Sequence, residues 1–188
     1  MSWERLETIV SVESPWVRLV AERWRDEGGR LLDYWRAERA HSVIVPAVRA
    51  GRLLVPRPMF RPGVGRPTLD LAGGRLGPGQ TPQEAALGIL QRELGLPAAA
   101  VRKLRPLNQA GWIVNSSFES QLLFGVVAEI DPGADADPAL LERSVPFDRA
   151  GLRGLLAELE CLQCRAVLLE LLLDLTEKGV GGQGSPSA

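Results

Sequence analysis

Alternation governs the first forty residues of the chain. From Trp3 to Ala40 charged positions interleave with apolar or aromatic ones, and Asp26-Glu27-Gly28-Gly29-Arg30 supplies a turn between them. Period-two alternation around an acidic-glycine turn predicts an antiparallel hairpin. Two short β-rich runs follow at residues 42–48 and 52–56, on either side of Ala50-Gly51. Pro46 and Pro56 belong at strand ends or edges, because proline has no N–H to give to a ladder. A Pro/Gly/Arg loop, RPMFRPGVGRP, then leads to a short strand over residues 68–71.

The pattern changes to a helical one at Thr81-Pro82-Gln83-Glu84. Thr81 reads as N-cap, Pro82 as first helical residue and Glu84 as the partner of a capping box. The helix should run to about Leu94 and stop at Gly95 in the left-handed conformation. Gly88 in its middle costs roughly 1 kcal/mol relative to alanine, so helix propensity did not place it there. Residues 121–130 (QLLFGVVAEI) predict a buried strand, and residues 131–137 (DPGADAD) an acidic loop. Residues 151–178 predict an apolar helix or helix pair, and 179–188 a disordered tail. Strands on both sides of a capped helix, with a helical C-terminus, predict an α/β sandwich. There is no internal repeat.

Composition narrows the function classes. The chain has 188 residues, 45% hydrophobic and 24% charged, enough for one domain with its own core. A formal net charge of -1 gives no reason to expect nucleic acid or an anionic membrane as partner. No apolar run has the length of a membrane span, and Glu4, Arg5 and Glu7 interrupt the N-terminus where a signal peptide would be apolar. The expected location is the cytoplasm. Cys161 and Cys164 form one Cys-x-x-Cys, short of the four ligands of a structural zinc site. Within an apolar helical run they read as two buried thiols rather than metal or redox ligands. His41, the one histidine, precedes a buried strand and has no evident catalytic companion.

The segment 73–96, GGRLGPGQTPQEAALGILQRELGL, resembles a Nudix box with most of its acid removed. Gly74, Leu90, Glu93, Gly95 and Leu96 match that pattern without gaps, while Gln80, Gly88, Ile89 and Arg92 stand at positions that the family fills with charge. Upstream, Met59-Phe60-Arg61 and Leu69-Asp70-Leu71-Ala72-Gly73-Gly74 are similar to the approach to the box in ADP-ribose pyrophosphatases of that family. The resemblance covers about residues 15 to 175. It implies a Nudix fold of the α/β (α+β) class: a mixed β-sheet sandwiched between helices, with an N-terminal antiparallel β extension. It further implies an extension at 1–39 that forms a homodimer and walls the nucleotide site, and a catalytic domain at 40–178.

What the resemblance implies about chemistry is cleavage of a nucleoside diphosphate derivative such as ADP-ribose, with Mg²⁺ polarising the diphosphate. Box carboxylates at helical spacing would gather the metal. Here those positions are Ile89, Arg92 and Glu93, so Mg²⁺ acts only if activity survives at all, and hydrolysis is expected to be weak or lost. Ala72 and Glu93 are the implied metal positions. Glu93, Glu119 and Asp137 are the implied catalytic carboxylates, the last in the acidic loop. Gly74, Arg61, Arg66 and Arg92 are the implied substrate contacts. Each has a plain alternative. Glu93 also reads as a solvated residue of the last helical turn, Arg92 as a surface arginine suited to the helix dipole, and Arg61 and Arg66 as loop solubility. Arg92 as a metal surrogate gripping the diphosphate is the sharper reading. The paired loss at Gln80 and Gly88 removes a loop–helix salt bridge whole, as if the contact had been rebuilt without charge. Trp16, Trp24 and Trp35 read as a dimer-interface core, with base stacking the rival. A non-catalytic nucleotide-binding or regulatory protein and a dimeric interaction scaffold remain alternatives to a hydrolase.

Overall fold

A computed structural model describes residues 2–180. The alternating N-terminal segment forms three strands rather than two: β1 (Glu4–Glu13), β2 (Arg18–Arg25) and β3 (Leu31–Glu38). They make one antiparallel sheet in the order β1-β2-β3. The second turn lies where Ser14 N–H donates to Val17 O at 3.0 Å, while Ser14 Oγ accepts from the N–H groups of Trp16 and Val17. The expected turn is also present, with Gly29 at φ +81 and its N–H on Asp26 O. Charged positions become ion-pair rungs on both faces: Arg23 bridges Glu7 and Asp33 and Arg25 meets Glu4 on one, and Arg18 meets Glu38 on the other, the face that carries Glu22. At their centre Glu22, 1% exposed, accepts from Arg36 and Arg5.

The main body is an eight-stranded mixed sheet. Its strands are β4 (Ser42–Ile44), β5 (Ala47–Arg49), β6 (Arg52–Pro56), β9 (Gly73–Arg75), β10 (Val101–Pro106), β11 (Trp112–Ile113), β12 (Leu122–Ile130) and β13 (Leu141–Pro146). The principal order is β13-β6-β5-β12-β4-β9, with β10 and β11 also on β12. The single run expected at 42–48 is two strands, both parallel to β12. Between them Val45 turns its N–H to Ala72 O at 2.7 Å and Pro46 gives its carbonyl to Ala128 N–H, so the proline falls at a strand end. The Pro/Gly/Arg loop is a small hairpin of β7 (Met59–Arg61) and β8 (Arg66–Thr68), with Gly65 at φ +74. Residues 69–72, expected to be mostly strand, form the link between β8 and β9. β10, β11 and β13 had no clear pattern in the sequence because each is short, half-exposed or carries charge among its apolar positions.

Three helices cover this sheet: α1 (Pro82–Leu94), α2 (Arg149–Glu158) and α3 (Leu162–Val180). β12 is buried on both faces and divides the core. Phe124, Val126, Ala128 and Ile130 join Ala86, Ile89, Leu90 and Leu94 of α1. Leu123 and Val127 join Leu152 and Leu155 of α2 and Val167, Leu168 and Leu171 of α3. The expected sandwich of helices on a mixed sheet, with an antiparallel β extension, is therefore the architecture found. α3 runs to Val180, and residues 181–188 of the expected tail lie outside the described residues.

Glu22 makes the extension acid-sensitive. The Arg36 guanidinium, assisted by Arg5, holds its carboxyl down to about 2 from an ordinary 4.5, against burial that pushes it up. Because the folded value is depressed, its stabilising contribution is complete above pH 4.5 and is lost as pH falls toward 2. Glu22→Gln should cost roughly 1.5–3 kcal/mol at pH 7 and flatten that acid limb, as read by urea denaturation across the pH range.

Candidate functional site

The capped helix positions everything else. Thr81 Oγ1 accepts from Glu84 N–H at 3.2 Å while Glu84 Oε2 accepts from Thr81 N–H at 2.7 Å, and Gly95 closes the far end at φ +68. With both ends held, Ile89 and Arg92 come to lie against β9. A Cβ on Gly74 would sit 2.7 Å from Arg92 Nη2 and 3.0 Å from Ile89 Cγ1, so only glycine lets the strand approach the helix this closely. Ile89 is 2% exposed and packs into the core. Arg92 donates Nη2–H to Gly73 O at 3.0 Å and Nε–H to Glu93 Oε1 at 2.9 Å.

One cation therefore already bridges the Glu93 carboxylate and the carbonyl oxygen of Gly73. Mg²⁺ requires an octahedral set of oxygens. Here the three helix positions offer one carboxylate bonded to a guanidinium, one buried isoleucine and that guanidinium itself. These residues do not fit Mg²⁺. Ala72 is buried, and its carbonyl accepts Val45 N–H within the sheet. The loop–helix contact expected between positions 80 and 88 is not rebuilt. Gln80 Oε1 accepts from Gly77 N–H at 3.1 Å and closes the loop on itself, while Gly88 is exposed with open space where a Cβ would lie.

The other candidate carboxylates are dispersed. Glu119 pairs with Arg39 at 3.2 Å beside the end of β3. Asp137 lies at the C-terminal end of α1, where its N–H donates to Leu94 O and its Oδ1 accepts from Ala139 N–H. Asp135 in the same loop pairs with Arg49. The acidic loop thus packs on the C-terminal end of the helix, and each of these carboxylates already has a partner. His41 is structural, accepting Leu122 N–H at Nδ1.

A cavity of about 990 Å³ opens beside Gly73 and Gly74 and receives Arg61 and Arg66 from the β7–β8 hairpin. Arg39 and Arg75 line it too, giving four arginines against Asp70 and Glu160. Arg61 pairs with Asp70 at 2.7 Å and Arg66 with Glu160 at 2.7 Å. Arg75 lies 3.7 Å over the ring of Trp16, which places Trp16 on the cavity wall. Gln121, 3% exposed, donates to Ala40 O and Ser42 Oγ and accepts from Gln163 at 3.1 Å. The cavity thus joins Gly74, Arg61 and Arg66, while Arg92, Glu93, Glu119 and Asp137 lie outside its lining.

Sequence reasoning missed the cavity's far wall. Cys161 precedes α3 instead of lying inside a helix, because the chain turns between α2 and α3, where Arg165 Nη1–H donates to Leu156 O and Leu159 O. Cys161 is half-buried, Cys164 is buried, and both line the cavity with Asp70. The hydrogen bond from Cys164, with backbone N–H groups of Cys164 and Gln163, holds the Cys161 thiol down to about 6. That shared hydrogen bond and burial push the Cys164 thiol up. The Cys-x-x-Cys spacing was the visible signal, but no pattern links it to Asp70 on the other side of the sheet's sequence.

No family model matches the chain, and no curated protein matches it by sequence. Among solved structures, a crystal structure of an ADP compounds hydrolase superposes with a TM-score of 0.75, covering 95% of this chain and 97% of that one. The two are 18% identical, a likeness of fold, and it supports the architecture of helices on a mixed sheet described above. No helix among the described residues is long and apolar enough to cross a membrane.

Gly88 offers a direct test of the site's local energetics. Its neighbourhood is open and it sits mid-helix, so Gly88→Ala should stabilise the protein by about 1 kcal/mol. Thermal unfolding that shows a lower midpoint instead would reveal a packing role that the geometry does not contain.

Proposed function

We propose that this protein binds a nucleoside diphosphate derivative of the ADP-ribose kind, and that its Mg²⁺-dependent hydrolysis is weak or lost. The observation that carries this reading is the Arg92 guanidinium between Glu93 and Gly73 O. It occupies the oxygens that a divalent cation would need and repels one approaching them. Binding is supported by the cavity, where arginines outnumber carboxylates by four to two. Trp16 and Arg75 add a flat wall on which a base can stack. Arg61 and Arg66 are held in place by Asp70 and Glu160. A diphosphate would take up their remaining donors as charge-assisted hydrogen bonds. The fold neighbour is named for hydrolysis of ADP compounds, which agrees with the ligand class.

The partner of the N-terminal sheet is a second copy of the chain. Every residue of β1 is exposed, and β1 pairs only with β2. Ile9, Val12, Trp3 and Trp35 leave large apolar area in solvent, up to 60% of Val12. A two-fold interface would cover that area with itself.

A thermal-shift series with ADP-ribose should raise the melting temperature equally in chelator and in Mg²⁺. Arg61→Ala should weaken binding about tenfold or more, equivalent to roughly 1.5–3 kcal/mol for a charged hydrogen bond. Vigorous Mg²⁺-stimulated cleavage that Glu93→Gln abolishes would overturn the reading of a silenced site. Light scattering at micromolar concentration should give a dimer, and Ile9→Glu with Val12→Lys a folded monomer. Monomeric wild type with fast amide exchange in β1 would refute the dimer.

A further inference from the structure

Asp70, Cys161 and Cys164 converge from opposite sides of the fold. Asp70 sits in the link between β8 and β9, and the cysteines lie one helical turn apart at the start of α3, where Arg165 N–H donates to Cys161 O. One ligand atom from each lies within 4.8 Å of the other two. All three line the 990 Å³ cavity. We propose that this constellation is a three-ligand site for a borderline-soft divalent cation such as Zn²⁺, with its fourth position open to the cavity.

Several observations point to a ligand rather than to packing. Asp70 Oδ2 accepts from Arg61 and from Thr68 Oγ1, whereas Asp70 Oδ1 is buried and has no hydrogen-bond partner among the described residues. A buried carboxylate oxygen left without a donor carries an energetic penalty that a bound cation would remove. Leu71 N–H points at Cys164 Sγ at 3.4 Å, a buried polar contact to one of the two sulfurs. Cysteine holds metal as the thiolate, so binding the ion would release the thiol protons.

Charge favours the same ion. Two thiolates and a carboxylate exceed the charge of one divalent cation by one negative unit. The Arg61 guanidinium, 2.7 Å from Asp70 Oδ2, supplies the balance. Thiolate ligands select Zn²⁺ over Mg²⁺. Tetrahedral bonds of ordinary length separate donor atoms by roughly 3.3–3.8 Å, so the three side chains need to contract by no more than about 1.5 Å. Three protein ligands with one open position is the arrangement that admits water or an anion to the metal. The site is separate from the box helix and stands whether or not a nucleotide binds.

The test is titration of reduced, chelator-stripped full-length protein with Co²⁺ and then Zn²⁺, without nucleotide. A single equivalent of Co²⁺ should give a thiolate-to-cobalt charge-transfer band and visible bands of tetrahedral intensity, and Zn²⁺ should abolish both. Bound Zn²⁺ should also slow alkylation of Cys161. Cys161→Ser and Asp70→Asn, each confirmed folded by circular dichroism, should lower affinity by at least about tenfold, since loss of an outer-shell partner alone costs that much. Glu93→Gln should leave the cobalt spectrum unchanged. Weak octahedral bands, unchanged affinity in Cys161→Ser, or closure of the thiols to a disulfide that Zn²⁺ does not slow would each overturn the proposal.

Discussion

Gly74 lies closer to α1, and Gly73 closer to β4, than a side chain would permit, and much of the molecule follows from that double approach. A Cβ on Gly73 would meet Ile44 Cδ1 at 2.7 Å, and one on Gly74 would meet Arg92 and Ile89. The strand is thus wedged between β4 and the helix. This wedge sets the height of the β8–β9 link, which carries Asp70 into the cavity. It also brings Gly73 O within reach of the one guanidinium that the helix presents. A larger residue at either position would lift β9 and disturb the helix contact and the cavity wall together.

Electrostatics in this region is internal. Among the described groups, Arg92 is bonded to Glu93, Arg61 to Asp70, Arg66 to Glu160 and Arg39 to Glu119. A site built to hold several Mg²⁺ ions would carry an excess of carboxylate that only metal could neutralise. Here acids and bases are matched pairwise at the box, and the cavity keeps a small excess of positive charge.

The N-terminal sheet obeys a different economy. It buries little apolar surface of its own, and it is held by ladder bonds and by ion-pair rungs around Glu22. Exposed pairs of this kind contribute little individually. The buried one gives the sheet a fixed geometry, because an unpaired Glu22 would be costly. Rigidity with an uncovered apolar edge suits a surface that meets another protein surface.

Local chemistry was readable from the sequence wherever one short segment contained its own instructions. The capping box at Thr81–Glu84, the left-handed stop at Gly95, the turn at Asp26–Arg30 and the buried β12 all depend on neighbours in the chain. The three-stranded form of the extension, β10, β11 and β13 were not legible, because half-exposed charged strands acquire their identity from the partner that they pair with. The site divides in the same way. That Arg92 would turn inward to Gly73 O, that Glu119 and Asp137 would settle at separate ends, and that Cys161 and Cys164 would meet Asp70 were decided only by tertiary packing. A side chain's partner is set by the three-dimensional approach of distant backbone, and one-dimensional spacing contains no record of that distance.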